Sequence, residues 1–167
     1  MKYIFSFVFL FVVIQTVKAQ ADSSDYYKAF LHLPPFSLNK APDSSEFNNN
    51  NLIAGKPVVL LFFSPDCEHC QQEAAELLQN KELVKEIPVI MISLASMNEI
   101  TTFINKFKLA ELPNVTVTQD YNFKLGNIFK MKTFPAMYVY DEYQDILKAY
   151  IGNNLVRKMI DLFQKDR

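Results

Sequence analysis

The sequence predicts a single α/β domain in which helices cover both faces of a central mixed β-sheet. Apolar segments of strand length alternate along the chain with segments whose apolar residues recur at helical spacing. Toward the C-terminus, two apolar segments flank a short polar turn, which is the pattern of an antiparallel hairpin. Half of the 167 residues are hydrophobic, which is enough for one sizeable core.

The first half of the domain contains the clearest strand. Residues 33–38 include two prolines and are expected to be extended, and residues 41–51, rich in Ser and Asn, are expected to form a surface loop. The unbroken β-branched and aromatic run at 58–63 predicts a strand buried on both faces. Helical spacing begins at residue 68 and continues to 85, so a helix should follow this strand directly.

The second half continues the alternation of strands and helices. The predicted elements are a strand at 87–94, a helix at 98–109, a short strand at 115–118, a helix at 122–131, hairpin strands at 136–141 and 146–151, and a final helix from 155. Asn153 or Asn154 is expected to cap that final helix, because Asn side chains accept hydrogen bonds from the N–H groups of a first helical turn.

The N-terminus has the layout of a secretory signal peptide. A basic residue, Lys2, precedes an apolar run that ends in small residues, so we predict a signal peptide at 1–19, with cleavage as late as Ala21 as the alternative. Residues 20–32 would then be a lead-in and 33–167 the folded domain. The apolar run is short for an uncleaved membrane anchor, which needs about 20 residues. The sequence therefore predicts an exported protein, in the periplasm or secreted.

The charge balance argues against two classes of partner. Removal of Lys2 and Lys18 with the signal peptide leaves 15 basic and 18 acidic side chains, so the net charge changes from −1 to −3. A net negative charge of this size does not favour binding to nucleic acid or to an anionic membrane, both of which attract basic proteins. No motif for a cofactor is present, and we expect none.

The chain has two cysteines, Cys67 and Cys70, separated by two residues. A disulfide that closes so small a loop removes little entropy from the unfolded chain, so stabilisation is a poor reason for the pair. Cys67 stands where a buried strand ends and a helix begins, and the free N–H groups and dipole of the helix favour a thiolate there. Cys67 is therefore the predicted nucleophile, and Cys70, one helical turn on, the predicted resolving thiol.

Two neighbouring residues are candidates for tuning the pair. An imidazole of His69 near the thiolate would stabilise the reduced form and raise the reduction potential, whereas an exposed His69 would have no such role. Glu73 lies one helical turn after Cys70. If partly buried, its carboxyl would have a raised pKa and could accept the Cys70 proton; an exposed helical Glu is the alternative.

Phe134 and Pro135 precede the first hairpin strand and are candidates for substrate binding, together with Asp66 next to Cys67. A cis Pro135 packed against the cysteines would expose the Phe134 backbone to an extended substrate segment, although trans is the default from local sequence. A metal site is the competing interpretation of the cysteines. The chain offers only His32 and His69 as further soft ligands, which is a shortage for a tetrahedral site, and we predict no metal.

These residues resemble the thioredoxin-like superfamily, specifically the exported TlpA/ResA-type thiol-disulfide oxidoreductases of the bacterial redoxin branch. The resemblance covers about residues 33–165 and rests on the apolar strand leading into Ser-Pro-Asp-Cys-Glu-His-Cys, on the Glu73 spacing and on Thr-Phe-Pro before the hairpin. It implies that Cys67 attacks, that Cys70 resolves, that Pro135 is the cis-proline beside the active site and that Glu73 handles the proton.

Three positions depart from related patterns. Asp66 stands where many thioredoxins have Trp, and Leu61 stands at the position of the buried acid of cytosolic thioredoxins, so Glu73 would have to replace that acid. Leu60 stands where the peroxiredoxin motif needs Pro, so the sequence favours peroxidase activity much less than thiol-disulfide exchange.

The sequence thus predicts an enzyme that exchanges its dithiol or disulfide with cysteines of other exported proteins, acting as a reductant and supplied by a membrane-bound or exported redox partner. The alternative is a thioredoxin-fold module that binds peptides, as a chaperone would, or metal, without redox turnover.

Overall fold

The computed structural model describes residues 30–165. The predicted signal peptide, both of its cleavage sites and most of the lead-in at 20–32 lie outside the described residues. Within 30–165, no helix is long and apolar enough to cross a bilayer.

Seven strands of the described chain form one sheet. They are β1 (Ser37–Lys40), β2 (Ser45–Asn48), β3 (Val58–Phe62), β4 (Val89–Ser93), β5 (Val115–Gln119), β6 (Ala136–Tyr140) and β7 (Ile146–Ile151), in the spatial order β2-β1-β5-β4-β3-β6-β7. Strands β3, β4 and β5 are parallel neighbours, whereas β6 is antiparallel to β3 and to β7. The predicted mixed sheet and its C-terminal hairpin are confirmed.

Helices lie on both faces of this sheet, as predicted. They are α1 (Glu68–Gln79), α2 (Lys81–Val84), α3 (Met97–Lys106), α4 (Lys124–Ile128) and α5 (Leu155–Lys165), with 3-10 turns at Asn49–Asn51 and Leu109–Glu111. Buried residues of α1, α3 and α5 share one core cluster, and those of α4 belong to the cluster on the other face. The predicted helix at 68–85 is interrupted at Asn80, which ends α1 and precedes α2.

The alternation of side chains along β3 explains the two clusters. Val59 and Leu61 point into the face covered by α1, α3 and α5, and Leu60 and Phe62 point into the opposite face. All of β3 is buried, so a continuous apolar run was the right signal for a central strand with helices on both sides.

The second cluster is mainly aromatic. The rings of Phe62, Phe129 and Tyr138 have centroids 4.4 to 5.9 Å apart, and Phe30 stacks on Phe129 at 5.2 Å. The hydroxyl of Tyr140 donates to the carbonyl oxygen of Phe30 at 2.9 Å. Phe30, within the segment predicted as a lead-in, is therefore buried in the core.

The prediction of a surface loop at 41–51 was wrong. Strand β2 lies inside that segment and pairs with β1 from Ser37↔Asn48 to Lys40↔Ser45. The chain reverses after the cis Ala41–Pro42 bond through Ser44 at a positive φ of 59°. An edge strand held by backbone hydrogen bonds needs no apolar face, so a polar sequence does not reveal it.

The register between β3 and β6 positions the site. Because the two strands are antiparallel and Phe62 pairs with Ala136, the residues after β3 lie beside those before β6. The end of the parallel strand β4 lies at the same edge, since Phe62 also pairs with Ile92. The loop with Cys67, the segment with Phe134 and the loop after Ser93 therefore converge.

Candidate active site

Cys67 is the N-cap residue of α1. Its backbone is extended, and its sulfur accepts a hydrogen bond from the backbone N–H of Cys70 over 3.4 Å. The side chain is partly exposed and lies at the positive end of a helix of 12 residues. Both the N–H group and the helix dipole stabilise negative charge on this sulfur.

Cys70 is in a different environment, one helical turn further into α1. It is 1 % exposed, and its sulfur accepts a hydrogen bond from the backbone N–H of Ser64 over 3.5 Å. Burial raises the pKa of the Cys70 thiol well above its ordinary value, and the neighbouring Cys67 raises it further. Of the two sulfurs, that of Cys67 is therefore the accessible one, and burial favours the protonated form of Cys70.

Phe134 touches this pair through its backbone. The Cys67 thiol donates to the carbonyl oxygen of Phe134 at a sulfur to oxygen distance of 3.7 Å. The Phe134–Pro135 bond is cis, and Pro135 is buried, with its carbonyl accepting from the N–H of Gly152 at 3.0 Å. The structure thus brings together the cysteines and the Phe-Pro pair, although 67 positions separate Cys67 from Phe134 in the sequence.

Glu73 is buried, so of the two placements considered for this side chain the structure has the buried one. Its side chain is 2 % exposed, and its carboxylate oxygens accept hydrogen bonds from the backbone N–H groups of Leu155 at 2.9 Å and Val156 at 2.8 Å. Burial raises the pKa of Glu73, and the two N–H groups oppose that rise. Its charge in turn adds to the raised pKa of Cys70.

The same contacts correct the predicted cap of the final helix. The first N–H groups of α5 donate to Glu73 of α1, 82 residues earlier in the chain, and Asn154 instead takes a positive φ of 57° just before the helix. A local cap motif was the only signal available in the sequence, and a carboxylate on a neighbouring helix meets the same need.

His69 is exposed on the first turn of α1. Its Nδ1 lies 3.4 Å from the side-chain oxygen of Gln72, one turn further on. Of the two placements that the sequence left open, the imidazole therefore has the exposed one, and its hydrogen-bond partner is Gln72.

Asp66 and Phe134 both line a cleft beside the dithiol. The cleft measures about 540 Å³ and lies between the Ser64–Asp66 loop, the residues after β4 and helix α3. Asp66 is exposed, and its carboxylate accepts a hydrogen bond from the hydroxyl of Ser64. Two of the three predicted substrate-binding residues thus lie on one concave surface, and Pro135 lies next to it.

Two residues in contact with the site were not predicted from the sequence. Ser64 supplies an N–H group to Cys70, and Lys106 of α3 reaches the Gln71 side chain at 3.1 Å while lining the cleft. Ser64 is the first residue of the Ser-Pro-Asp-Cys-Glu-His-Cys motif, but its contact uses a backbone N–H group, which every residue except Pro has. Lys106 has the pattern of an ordinary solvated residue of an amphipathic helix.

No group of three or more His, Cys, Asp and Glu side chains in residues 30–165 is arranged to hold a metal ion. His32, one of the two imidazoles of the chain, lies 2.9 Å from a carboxylate oxygen of Asp145 at the turn between β6 and β7. The structure therefore does not bring His32 to the cysteines.

An α/β sheet of this topology with a dithiol at the N-terminus of α1 defines the class of protein, the thioredoxin-like thiol-disulfide oxidoreductases. The chain belongs to the AhpC/TSA family, whose model matches residues 31–150. A search of curated protein sequences finds no match.

Solved structures give the same fold at low sequence identity. A secreted Mycobacterium tuberculosis disulfide oxidoreductase homologous to Escherichia coli DsbE superposes with a TM-score of 0.64 at 19% identity, covering 81% of this chain and 98% of that one. A thiol-disulfide oxidoreductase from Bacteroides fragilis gives 0.64 at 21% identity over 78% and 98%. Copper-bound ScoI from Arabidopsis thaliana gives 0.59 at 17% identity over 81% and 99%. These likenesses show the thioredoxin-like fold.

Proposed function

We propose that this protein is exported and reduces disulfides in other exported proteins, with Cys67 as the nucleophile and Cys70 as the resolving thiol. The observation that carries the proposal is the asymmetry of the pair. One sulfur is partly exposed at a helix N-terminus, and the other is buried with a raised pKa. Thiol-disulfide exchange needs this combination, because the first thiol must be accessible to the substrate and the second must react only after the mixed disulfide has formed.

The reaction has two steps. The Cys67 thiolate attacks one sulfur of a substrate disulfide, which forms a mixed disulfide and releases the other substrate sulfur as a thiolate. Cys70 then loses its proton and attacks the Cys67 sulfur, which forms the Cys67–Cys70 disulfide and releases the second substrate thiolate. Two electrons pass to the substrate, and a membrane-bound or exported dithiol partner must return them by a further exchange.

Glu73 is the proposed acceptor of the Cys70 proton. Glu73 stands one helical turn after Cys70 and is buried, and burial raises the pKa of its carboxyl, which favours uptake of a proton by this group. Phe134, Pro135 and Asp66 are the proposed substrate contacts, since Phe134 contacts Cys67 and lines the adjoining cleft with Asp66.

The position of His69 favours the reductant direction. The imidazole is exposed and its Nδ1 faces the Gln72 side-chain oxygen at 3.4 Å rather than the Cys67 sulfur, so it does not stabilise a Cys67 thiolate through a hydrogen bond and raise the potential in that way. Export is supported by the signal-peptide pattern at 1–19 and by the likeness to the secreted mycobacterial oxidoreductase. An uncleaved anchor at the N-terminus is the alternative location.

The reduction potential tests this function directly. The protein would be equilibrated with glutathione or dithiothreitol buffers, and the reduced fraction read by thiol trapping. A potential near that of thioredoxin, roughly −270 mV, supports a reductant, and one near −120 mV makes the protein an oxidant. A pair that does not cycle reversibly overturns redox turnover altogether.

The cleft beside Phe134 supports a second candidate, a peptide-binding or chaperone-like module. In that case the Cys67→Ser variant would bind unfolded polypeptide as tightly as the unaltered protein. A metal-binding module, with the two sulfurs as ligands, would yield stoichiometric copper or zinc on the purified reduced protein.

A further inference from the structure

The cleft beside Cys67 carries charge that the dithiol chemistry does not use. Of the described residues that line it, three are charged: Asp66, Glu99 and Lys106. Hydrogen bonds from Ser96 lower the pKa of Glu99, and Asp66 is close enough for its charge to oppose that lowering. Lys106 lies seven residues after Glu99 on α3, about 10 Å along the helix axis, and donates to Gln71. The cleft therefore has an acidic end.

Three phenylalanines are among the residues that line the cleft, and two of them, Phe63 and Phe103, are almost fully buried beneath it. Phe63 and Phe103 lie with ring centroids 4.7 Å apart, and Phe134 closes the side next to the dithiol. Leu94, at the rim, is 43 % exposed although it is a large apolar side chain. Apolar surface of this kind gains free energy when an apolar side chain of a partner covers it.

The cleft is also within reach of a substrate held on Cys67. Phe134 both lines the cleft and accepts a hydrogen bond from the Cys67 sulfur over 3.7 Å, and Asp66 directly precedes Cys67 in the chain. A polypeptide joined to Cys67 through its own cysteine can thus place a neighbouring side chain in the cleft. Its volume of about 540 Å³ is within the range of ligand-binding clefts.

We propose that this cleft selects the substrate: it binds a polypeptide segment with an aromatic side chain and a basic side chain beside the reacting cysteine. The aromatic group covers Leu94 and Phe134, and the basic group faces Asp66 and Glu99. Small anionic disulfides such as glutathione disulfide match neither feature. This inference rests on the proposed oxidoreductase function and names the substrate class of the same site.

Three matched peptides test the proposal. Each carries one cysteine as a mixed disulfide with a chromophoric thiol, flanked by Phe and Lys, by Phe and Glu, or by Gly and Lys. The reduced protein attacks this disulfide, and the second-order rate of thiol release is measured at low and high salt. Hydroxyethyl disulfide, which has neither flanking group, reports the basal exchange reaction.

We expect the Phe-Lys peptide to react about fivefold faster than the Phe-Glu peptide at low salt, and this preference to shrink at high salt. We expect it to react about tenfold faster than the Gly-Lys peptide at both salt concentrations.

The double variant Asp66→Asn with Glu99→Gln should lose the charge preference and keep the aromatic one. Both replacements keep one acceptor oxygen on the side chain, which can still accept from Ser64 in the loop and from Ser96 in the capping box of α3, so the hydrogen bonds to the chain are preserved. The control variant Glu82→Gln with Glu111→Gln has the same net charge, changes exposed residues outside the cleft and should keep both preferences.

The outcomes separate the two proposals. If hydroxyethyl disulfide is reduced but the three peptides react equally fast, the selectivity is overturned and the oxidoreductase function stands. If the double variant and its control lose the charge preference equally, the preference comes from net charge and the assigned cleft residues are wrong. If hydroxyethyl disulfide and the peptides all fail to react, both proposals fall.

Discussion

The carboxylate of Glu73 on α1 caps the helix that begins at Leu155, with its oxygens 2.9 Å from the Leu155 nitrogen and 2.8 Å from the Val156 nitrogen. One buried side chain therefore joins the helix of the dithiol to the C-terminal helix. It also stands one turn from Cys70, whose pKa it helps to raise. The capping contact seen in the structure and the proposed transfer of the Cys70 proton thus involve the same residue, and experiments can separate the two.

Replacement of Glu73 by Ala should lower the free energy of unfolding by about 2 to 4 kcal/mol, because two buried N–H groups lose their acceptor. Glu73→Gln keeps one acceptor oxygen and should lose less. Urea unfolding monitored by circular dichroism measures both. The exposed Glu82→Gln variant serves as the control, and a Glu73→Ala variant as stable as the control would contradict the cap.

The stability contributed by Glu73 should depend on pH in a defined direction. Burial raises the folded-state pKa above the ordinary value, so the folded protein binds this proton more tightly than the unfolded chain does. The contribution is fully present below the unfolded pKa and is lost as pH rises through the raised pKa. The difference in unfolding free energy between the unaltered protein and Glu73→Gln should therefore decline as pH rises above about 4.5. A difference that grows with pH would show that the hydrogen bonds to the carboxylate lower the folded-state pKa of Glu73 by more than burial raises it.

The resolving step should depend on Glu73 and the attacking step should not. In Glu73→Gln the second step, in which Cys70 must lose its proton, is expected to slow by about 10 to 100-fold, at or below the usual range for loss of one general base. Stopped-flow measurement of mixed-disulfide formation and decay separates the two steps. Equal slowing of both would indicate that the variant has distorted the whole site.

Cys67 should be the thiol that reagents modify. Cys70 is buried with a raised pKa, so iodoacetamide at neutral pH is expected to label Cys67 and leave Cys70 intact, as read by mass spectrometry of peptides. The Cys70→Ser variant should then accumulate mixed disulfide with substrate, whereas Cys67→Ser should not. Preferential labelling of Cys70 would reverse the assigned roles.

His69 should contribute little to the reduction potential, because its hydrogen-bond partner is Gln72 on the exposed face of α1. His69→Ala is expected to change the potential by less than about 10 mV, well below the roughly 30 mV that corresponds to about 1.4 kcal/mol. Thiol trapping across a glutathione series measures it, with Gln72→Ala as the control. A fall of several tens of mV would mean that the imidazole acts on the dithiol in solution.

Much of the fold was readable from the sequence because burial imposes local patterns. The strand at β3 and the hairpin of β6 and β7 appeared as apolar runs, and α3 appeared as a helical stripe with Ile100 and Phe103 on its buried face. The polar edge strand β2 was missed, since its pairing with β1 uses backbone groups that every sequence has.

The sequence by itself determined the class of chemistry. Two cysteines separated by two residues, placed after a central strand and at the start of a helix, define a dithiol whose first sulfur is favoured as a thiolate. The sequence did not determine which side chains surround this dithiol. The sequence left Glu73 and His69 each with two placements, because a shift of only one or two residues along a helix separates its buried face from its exposed face.

Only the tertiary structure decided which distant groups meet the dithiol. The antiparallel register of β3 and β6 brings the Phe134 carbonyl to Cys67, and the packing of α5 on α1 directs the N–H groups of Leu155 and Val156 to Glu73. Local patterns record which face of an element is buried, whereas the choice of neighbour depends on topology and strand order. Contacts between residues 67 or 82 positions apart leave no trace in the local spacing of apolar residues. The Glu73 cap, the contact of Cys67 with the Phe134 backbone and the cleft therefore became visible only in three dimensions.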